Sequence, residues 1–198
     1  MRQSVICVVG TRPEAIKIAP VIKALRNDAK NFDLKVCSTG QHGLLLSDVM
    51  DFFDLRPDIS LNLLEPGQSL SELTSKAVLE LGNLFAKDRP DWVLVQGDTT
   101  SAYAGAYSAF LSRCKVGHVE AGLRTYDRYS PFPEEINRKM IGVVADVHFA
   151  PTRRAVLALC AEGVPESSIY LTGNTIVDAL CDASMILEAK PPQLPEDI

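Results

Sequence analysis

Three acidic residues lie at positions from which their side chains could act as catalytic acids or bases. Asp98 and Glu120 each follow a short apolar run closely, and Glu134 opens a helical pattern after a long loop. Taken singly, Asp98 could cap a helix, and Glu134 could pair with Arg138 four residues later. In an open α/β sheet, however, ligands bind at the edge where the strands end. We therefore expect the three carboxylates to meet there and to transfer protons.

Two basic residues in the segment GTRPEAIK could bind a phosphate. Arg12 stands at an expected helix N-terminus, where free N–H groups and the helix dipole favour anions, and Lys17 follows one turn later. Both could instead be solvated surface charges with Glu14 as their partner. No GxGxxG follows the first apolar run, and no P-loop sequence occurs in the chain. We therefore expect neither a dinucleotide nor any other cofactor.

The three histidines do not have the spacing of a metal site. His42 lies between two glycines in a predicted loop and could contact a ligand. His118 and His148 lie within strand patterns, and we expect them to be buried in the core with their hydrogen bonds satisfied. The sequence thus predicts no metal centre.

Short β-rich runs alternate with longer helical patterns along the chain. The runs predict strands at 4–9, 34–38, 59–63, 92–96, 115–119, 147–150 and 169–172. The patterns between them predict helices at 14–27, 44–53, 71–86, 101–111, 135–144, 153–161 and 176–188. Strict alternation is typical of a parallel sheet covered by helices on both faces. The predicted fold class is therefore α/β, a Rossmann-like doubly wound parallel sheet of about seven strands.

Local signals mark the ends of several elements. Pro13 suits the first turn of a helix, and Ser69 with Glu72 fits a capping box before the third helix. The proline-rich segment 190–198 cannot continue a helix and is typical of a linker. We therefore expect one domain over residues 1–189, followed by the start of an inter-domain linker.

The composition restricts the class of protein. The chain has 198 residues, 46% of them hydrophobic, and a net charge of −5, which suits one globular domain and disfavours nucleic-acid or anionic-membrane partners. No apolar run is long enough to span a membrane, and the start of the chain lacks the pattern of a signal peptide. We expect a cytoplasmic protein. The cysteines that we then expect as reduced core thiols are Cys7, Cys37, Cys114, Cys160 and Cys181.

Six sequence blocks together resemble one enzyme family, the non-hydrolysing UDP-N-acetylglucosamine 2-epimerases. The blocks are GTRPEAIKIAP (10–20), TGQH (39–42), GDTTSA (97–102), GHVEAGLRT (117–125), PFPEEINR (131–138) and GNTIVDAL (173–180). They occur in the family's order and spacing, which makes the resemblance highly specific.

The resemblance implies the amino-terminal half of a GT-B-type architecture, in which two Rossmann-like domains enclose the active site. It implies an isomerase that interconverts UDP-GlcNAc and UDP-ManNAc by eliminating UDP to 2-acetamidoglucal and adding it back. The partner domain that supplies most UDP-binding groups is absent from this chain, so we expect the isolated domain to be inactive. The resemblance also implies a homodimer that uses helices of this domain.

The resemblance assigns roles to residues that match the family's motifs. The implied catalytic acids are Asp98, Glu120 and Glu134. The implied groups that bind the substrate or its diphosphate are Arg12, Lys17, His42 and Arg138.

A regulatory site is implied less completely. Gln41 and His42 match part of the family's allosteric UDP-GlcNAc site. Many members continue this motif as QHRQML, whereas this chain has Gly43 directly after His42. It also has Gln68 where those members carry an arginine.

Three other functions remain open at this point. Related epimerases that act on diacetamido-uronic acid sugar nucleotides share the same general motifs. A non-catalytic regulatory module that binds sugar nucleotides would keep the fold and lose the chemistry. A GT-B glycosyltransferase half is the third alternative, although the three clustered acids and the GTRPEA sequence favour epimerisation.

Overall fold

The computed structural model describes residues 2–40 and 43–191 of the chain. The predicted ligand contacts of Gln41 and His42 lie outside these residues, as does the linker segment from 192 onward. In the described ranges, no helix is long and apolar enough to cross a membrane.

One parallel sheet of seven strands forms the centre of the described fold, which confirms the predicted fold class. The strands are β1 (Gln3–Val9), β2 (Phe32–Ser38), β3 (Ile59–Ser60), β4 (Trp92–Gln96), β5 (Lys115–Val119), β6 (Val147–Ala150) and β7 (Ile169–Leu171). Their order in the sheet is β3-β2-β1-β4-β5-β6-β7. The order reverses between β1 and β4, the kind of switch point at which ligands bind in such sheets.

The first six long helices connect successive strands and the seventh follows β7, and the bounds of each lie within two residues of those predicted. They are α1 (Arg12–Asn27), α2 (Gly43–Phe52), α3 (Leu70–Asp88), α4 (Thr100–Leu111), α5 (Glu134–Val144), α6 (Arg153–Ala161) and α7 (Thr175–Ala189). The predicted capping box of α3 is confirmed, since Ser69 and Glu72 each accept from the other's backbone N–H.

Side chains alternate between the two faces of the sheet, which places a hydrophobic core on each face. In β1, Ile6 and Val8 pack in the core that contains α3 and α4. Val5, Cys7 and Val9 pack in the opposite core, with α1 and α2. The central strands are therefore buried on both faces, and their functional residues lie where the strands end.

The prediction that all five cysteines lie in the core is wrong for two of them. Cys7, Cys37 and Cys114 are buried, whereas Cys160 on α6 and Cys181 on α7 are exposed, and none of the five forms a disulfide. Both exposed cysteines belong to amphipathic helices, and the helical period turns these positions away from the sheet.

Gly10 directly follows β1, at a point where side chains of two neighbouring segments come close to its backbone. A Cβ atom there would lie 2.1 Å from Ser101 Oγ and 2.8 Å from Thr39 Oγ1, and these two hydroxyls are hydrogen-bonded to each other at 2.8 Å. We predict that Gly10→Ala lowers the free energy of unfolding by about 1–3 kcal/mol, because overpacking forces these groups apart. Urea unfolding measures this loss.

Gly82 in the middle of α3 offers the matched control. A Cβ atom at Gly82 meets nothing within 4 Å, so Gly82→Ala should raise the free energy of unfolding by about 0.5–1 kcal/mol. A Gly10→Ala protein as stable as wild type would contradict the close packing at the end of β1.

Candidate active site

A cavity of about 350 Å³ opens at the edge of the sheet where the strands end. It brings together four of the residues singled out in the sequence. These are Asp98, Glu120, Glu134 and Lys17. The expected meeting of the three acids at one sheet edge therefore holds in the structure.

Asp98 occupies the loop between β4 and α4, and it is held from α5. The Nη2 atom of Arg138 lies 2.5 Å from Asp98 Oδ2, and the Asn137 side chain donates to the Asp98 carbonyl at 2.9 Å. The alternative in which Asp98 caps the helix is wrong, because Thr99 is the N-cap of α4 and accepts from the backbone N–H of Ala102. The Asp98 side chain is thus not used as a helix cap, and it lines the cavity.

Burial raises the pKa of the Asp98 carboxyl above its usual range. The neighbouring guanidinium of Arg138 counteracts this effect, whereas the nearby carboxylates of Glu120 and Glu134 add to it. The protonated form of Asp98 therefore persists to higher pH than that of an ordinary aspartate.

Glu120 begins the loop after β5 in a backbone conformation that few residues other than glycine adopt. Its φ angle is +66°, in the left-handed region, and such outliers cluster at functional sites. The Nζ atom of Lys17 donates to its two carboxylate oxygens at 2.8 and 2.7 Å. The predicted phosphate ligand Lys17 therefore contacts a carboxylate in this structure.

Two further partners of Glu120 were missed by the sequence analysis. Gln96 donates to Glu120 Oε2 at 2.7 Å, and Asn174 donates to Glu120 Oε1 at 3.0 Å. Gln96 is the last residue of β4, and Asn174 lies in the loop after β7. The rule that strand-end residues serve the site would have placed both amides at this edge, had it been applied to amides as well as to acids, but it would not have paired them with Glu120.

Glu134 is the first residue of α5 and lines the same cavity. The predicted pairing of Glu134 with Arg138 is wrong, since Arg138 reaches Asp98 and, at 3.5 Å, Glu135. Glu135 is buried and accepts from the backbone N–H groups of Thr125 and Tyr126. Within 2–40 and 43–191, Glu134 has no cationic side chain or hydrogen-bond donor as a partner.

The turn between β1 and α1 differs from the phosphate-binding turn that the sequence suggested. Glu14 is buried, and its carboxylate accepts from the backbone N–H groups of Gly10 and Thr11 at 2.9 and 2.5 Å. The Glu14 carboxylate thus accepts the hydrogen bonds from backbone amides that would otherwise bind an anion. Glu14 is consequently no partner for Arg12 or Lys17, so that part of the alternative is wrong.

Arg12 is not among the residues that line the acid cavity. It is exposed and lines a neighbouring groove of about 490 Å³ between α1, α2 and α7. The structure therefore brings Lys17 to the three acids but gives Arg12 a separate groove.

His118 and His148 are buried on adjacent strands, as predicted, but they are not fully satisfied. Burial lowers the pKa of His118 to about 3, so its ring is neutral, and its Nε2 donates to the carbonyl of Gly97 at 2.7 Å. Among the described residues, the Nδ1 atom of each ring has no partner. The bond to Gly97 fixes the loop that carries Asp98.

These contacts define what the cavity could do. Acids crowded in one partly buried site can hold and transfer protons, and the negative charge can stabilise a cationic transition state. The described part of the cavity thus suits a reaction that needs both proton transfer and stabilisation of positive charge.

Comparison with known proteins identifies a family whose model matches most of the chain. Residues 23–196 match the model of a family described as UDP-N-acetylglucosamine 2-epimerase. UDP-N-acetylglucosamine 2-epimerase from Bacillus subtilis is 50% identical over 176 residues, covering 89% of this chain and 46% of that protein. The protein of the same name from Salmonella typhimurium is 49% identical over the same shares. The chain thus spans about half the length of the curated relatives that it matches.

Solved structures agree with the sequence comparison. The crystal structure of UDP-GlcNAc 2-epimerase from Neisseria meningitidis bound to UDP-GlcNAc superimposes with a TM-score of 0.90. It is 43% identical in sequence, and the match covers 94% of this chain and 50% of that one.

Asp98 has a positive charge and negative charges as neighbours, and removing one or the other should shift its pKa in opposite directions. We expect Arg138→Gln to raise the pKa of Asp98, because it removes the cation that favours the carboxylate. Glu134→Gln should lower it, because it removes a like charge. Titration of the Asp98 carboxyl carbon by ¹³C NMR measures both shifts.

Lys139→Gln is the matched control, since Lys139 is the next residue on α5 but contacts Glu135 at 3.7 Å. Its removal should leave the titration of Asp98 unchanged. Shifts of the same sign in Arg138→Gln and Glu134→Gln would contradict the described arrangement of charges.

Proposed function

The chain belongs to the UDP-N-acetylglucosamine 2-epimerase family, and from this premise we propose that it forms the acid-bearing half of an enzyme that interconverts UDP-GlcNAc and UDP-ManNAc. The cavity in which Asp98, Glu120 and Glu134 meet carries the proposal. The half-length match to relatives supports a second domain, connected through the segment 190–198, that supplies the remaining groups.

The proposed reaction proceeds by elimination because direct deprotonation has no stabilised product. The hydrogen at C2 is not adjacent to a carbonyl, so its removal alone gives no enolate. In the elimination, a base takes the C2 proton, the C2–H electron pair forms the C1=C2 double bond, and the C1–O pair leaves with UDP. The product is 2-acetamidoglucal. UDP then adds back to C1 while a proton arrives at the opposite face of C2, and no water is consumed.

The three acids supply what this reaction needs. One carboxylate must take the proton, an acid must return one on the other face, and negative charge must stabilise the cationic sugar, as in glycosidases. Burial and the neighbouring carboxylates raise the pKa of Asp98, which favours it as the acid that holds a proton.

The diphosphate requires cationic groups beside the acids. Lys17 lies in the cavity with its side chain 28% exposed, so it can reach a diphosphate, and Arg12 is exposed one turn earlier on α1. Arg138 is held by Asp98 and Glu135 with its side chain only 11% exposed. We therefore assign Arg138 to holding Asp98 and leave the diphosphate to Lys17, Arg12 and the second domain.

The complete enzyme is proposed to be a homodimer through helices of this domain. Leu79 on α3 and Phe110 on α4 are 61% and 54% exposed, and apolar side chains of this size favour an interface when they are clustered. Size-exclusion chromatography of the complete protein measures the oligomeric state.

Substitution of each acid tests the assignment of the site. In the complete protein, Asp98→Asn, Glu120→Gln and Glu134→Gln should each lower kcat at least a hundredfold, about 2.7 kcal/mol of activation free energy. Incorporation of deuterium at C2 of UDP-GlcNAc in D2O measures the turnover.

Glu166→Gln provides the control, because Glu166 is exposed in the short helix before β7. It should leave turnover unchanged. Wild-type rates in all three acid variants would refute the assignment.

The 198-residue chain alone should have negligible epimerase activity, because the proposed second domain supplies most of the groups that bind UDP. The same deuterium assay, run on this chain and on the complete protein at equal concentration, measures the difference. Appreciable exchange by the chain alone would show that these residues suffice.

A further inference from the structure

The carboxylate of Glu120 is surrounded by hydrogen-bond donors. Lys17 Nζ contacts both oxygens, Asn174 Nδ2 contacts Oε1, and Gln96 Nε2 contacts Oε2, all within 3.0 Å. A carboxylate has about four lone-pair sites, and these four contacts match that capacity. The donors come from α1, the end of β4 and the start of α7, so three segments of the chain converge on Glu120.

Two of these donors are neutral amides that are themselves fixed in place. Gln96 is 2% exposed and belongs to a strand that is paired on both sides. Asn174 is the N-cap of α7, and its Oδ1 accepts from the backbone N–H of Ile176 at 3.1 Å. Because the cap occupies Oδ1, the side-chain amide of Asn174 is turned so that its N–H group faces Glu120.

We infer that Gln96 and Asn174 are positioning residues that hold Glu120 as a fixed carboxylate in the cavity, so that proton transfer at C2 falls to Asp98 and Glu134. The inference rests on the proposed function. Glu120 then acts through its negative charge, which stabilises the positive charge that develops at C1 as UDP leaves.

The contacts of the three acids agree with this division of roles, in which Glu120 remains a carboxylate and Asp98 and Glu134 transfer the proton. To take a proton, Glu120 must give up a contact with one of its N–H donors. Asp98 has a cation on one oxygen, Oδ2. In the described ranges Glu134 has neither a cation nor a donor, so a proton can reach it without loss of a bond.

Neutral donors matter because Lys17 has a competing partner in the proposed reaction. The diphosphate of a sugar nucleotide attracts the Lys17 ammonium, which weakens its bond to Glu120. The amides of Gln96 and Asn174 carry no net charge and are attracted far less. They therefore hold Glu120, whose φ angle of +66° is unfavourable, in one orientation with or without the diphosphate.

Asn174→Ser separates this role from helix capping. Serine caps a helix as well as asparagine does and adds no charge, so the bond to Ile176 survives, but the N–H donor to Glu120 is lost. In the complete protein, we expect kcat for C2 deuterium exchange to fall about tenfold or more, with KM for UDP-GlcNAc changed less than threefold. The melting temperature should stay that of wild type.

Gln96→Met gives an independent test, since methionine has a similar length and no N–H donor. The same fall in kcat at a nearly constant KM is expected. Thr152→Ser, which exchanges the N-cap of α6, is the control for introducing a capping serine, and it should leave kcat unchanged. If Gln96→Met does not fold, Asn174→Ser decides the question alone.

The outcomes separate the two proposals. An active wild type with unchanged kcat in the folded variants would overturn the positioning role and leave the proposed function standing. An increase in KM without a loss of kcat would also overturn it, because it would assign these amides to substrate binding. A complete wild-type protein without C2 exchange would overturn the proposed function, and this inference with it.

Discussion

The buried carboxylate of Glu14 is the interaction on which the geometry of the cavity depends. It accepts from the backbone N–H groups of Gly10 and Thr11 and, at 2.6 Å, from the hydroxyl of Thr99. The first two bonds close the turn after β1, and the third ties that turn to the N-cap of α4, one residue after Asp98. Burial raises the pKa of Glu14, and the bonds from these donors counteract the effect. Without this acceptor, two buried donors and one partly buried donor would lose their partner, and the loop that carries Asp98 would lose one of its supports.

The sheet and its helices could be predicted because their signals are local. Apolar runs such as that of β4 and punctuation such as the Ser69–Glu72 capping box are read within a few residues. A parallel sheet then fixes where the strand ends lie, so the meeting of Asp98 and Glu120 follows from topology without knowledge of any contact. This is why the predicted acids and the observed cavity agree.

The partners of those acids could not be predicted in the same way. Spacing along α5 allows Arg138 to reach Glu134 or Glu135, and only the folded loop after β4 shows that Asp98 is the nearest of the acids. Asn174 approaches Glu120 across 54 residues of chain. Such contacts depend on how segments pack in three dimensions, which no local pattern encodes. The exposed cysteines were misassigned for a related reason, since an apolar helix segment does not by itself show which side faces the sheet.

The same contacts give the three acids three different environments within one cavity. Glu120 is surrounded by donors, Asp98 shares a cation and is partly buried, and Glu134 lies at the start of α5, where the helix dipole is its nearest favourable charge. Identical carboxylates can perform different tasks only when their surroundings differ in this way. The difference arises because α1, the end of β4, α5 and the loop after β7 each bring different neighbours to the acids. The sheet topology therefore does more than gather the acids, because it also brings each one a different set of neighbours.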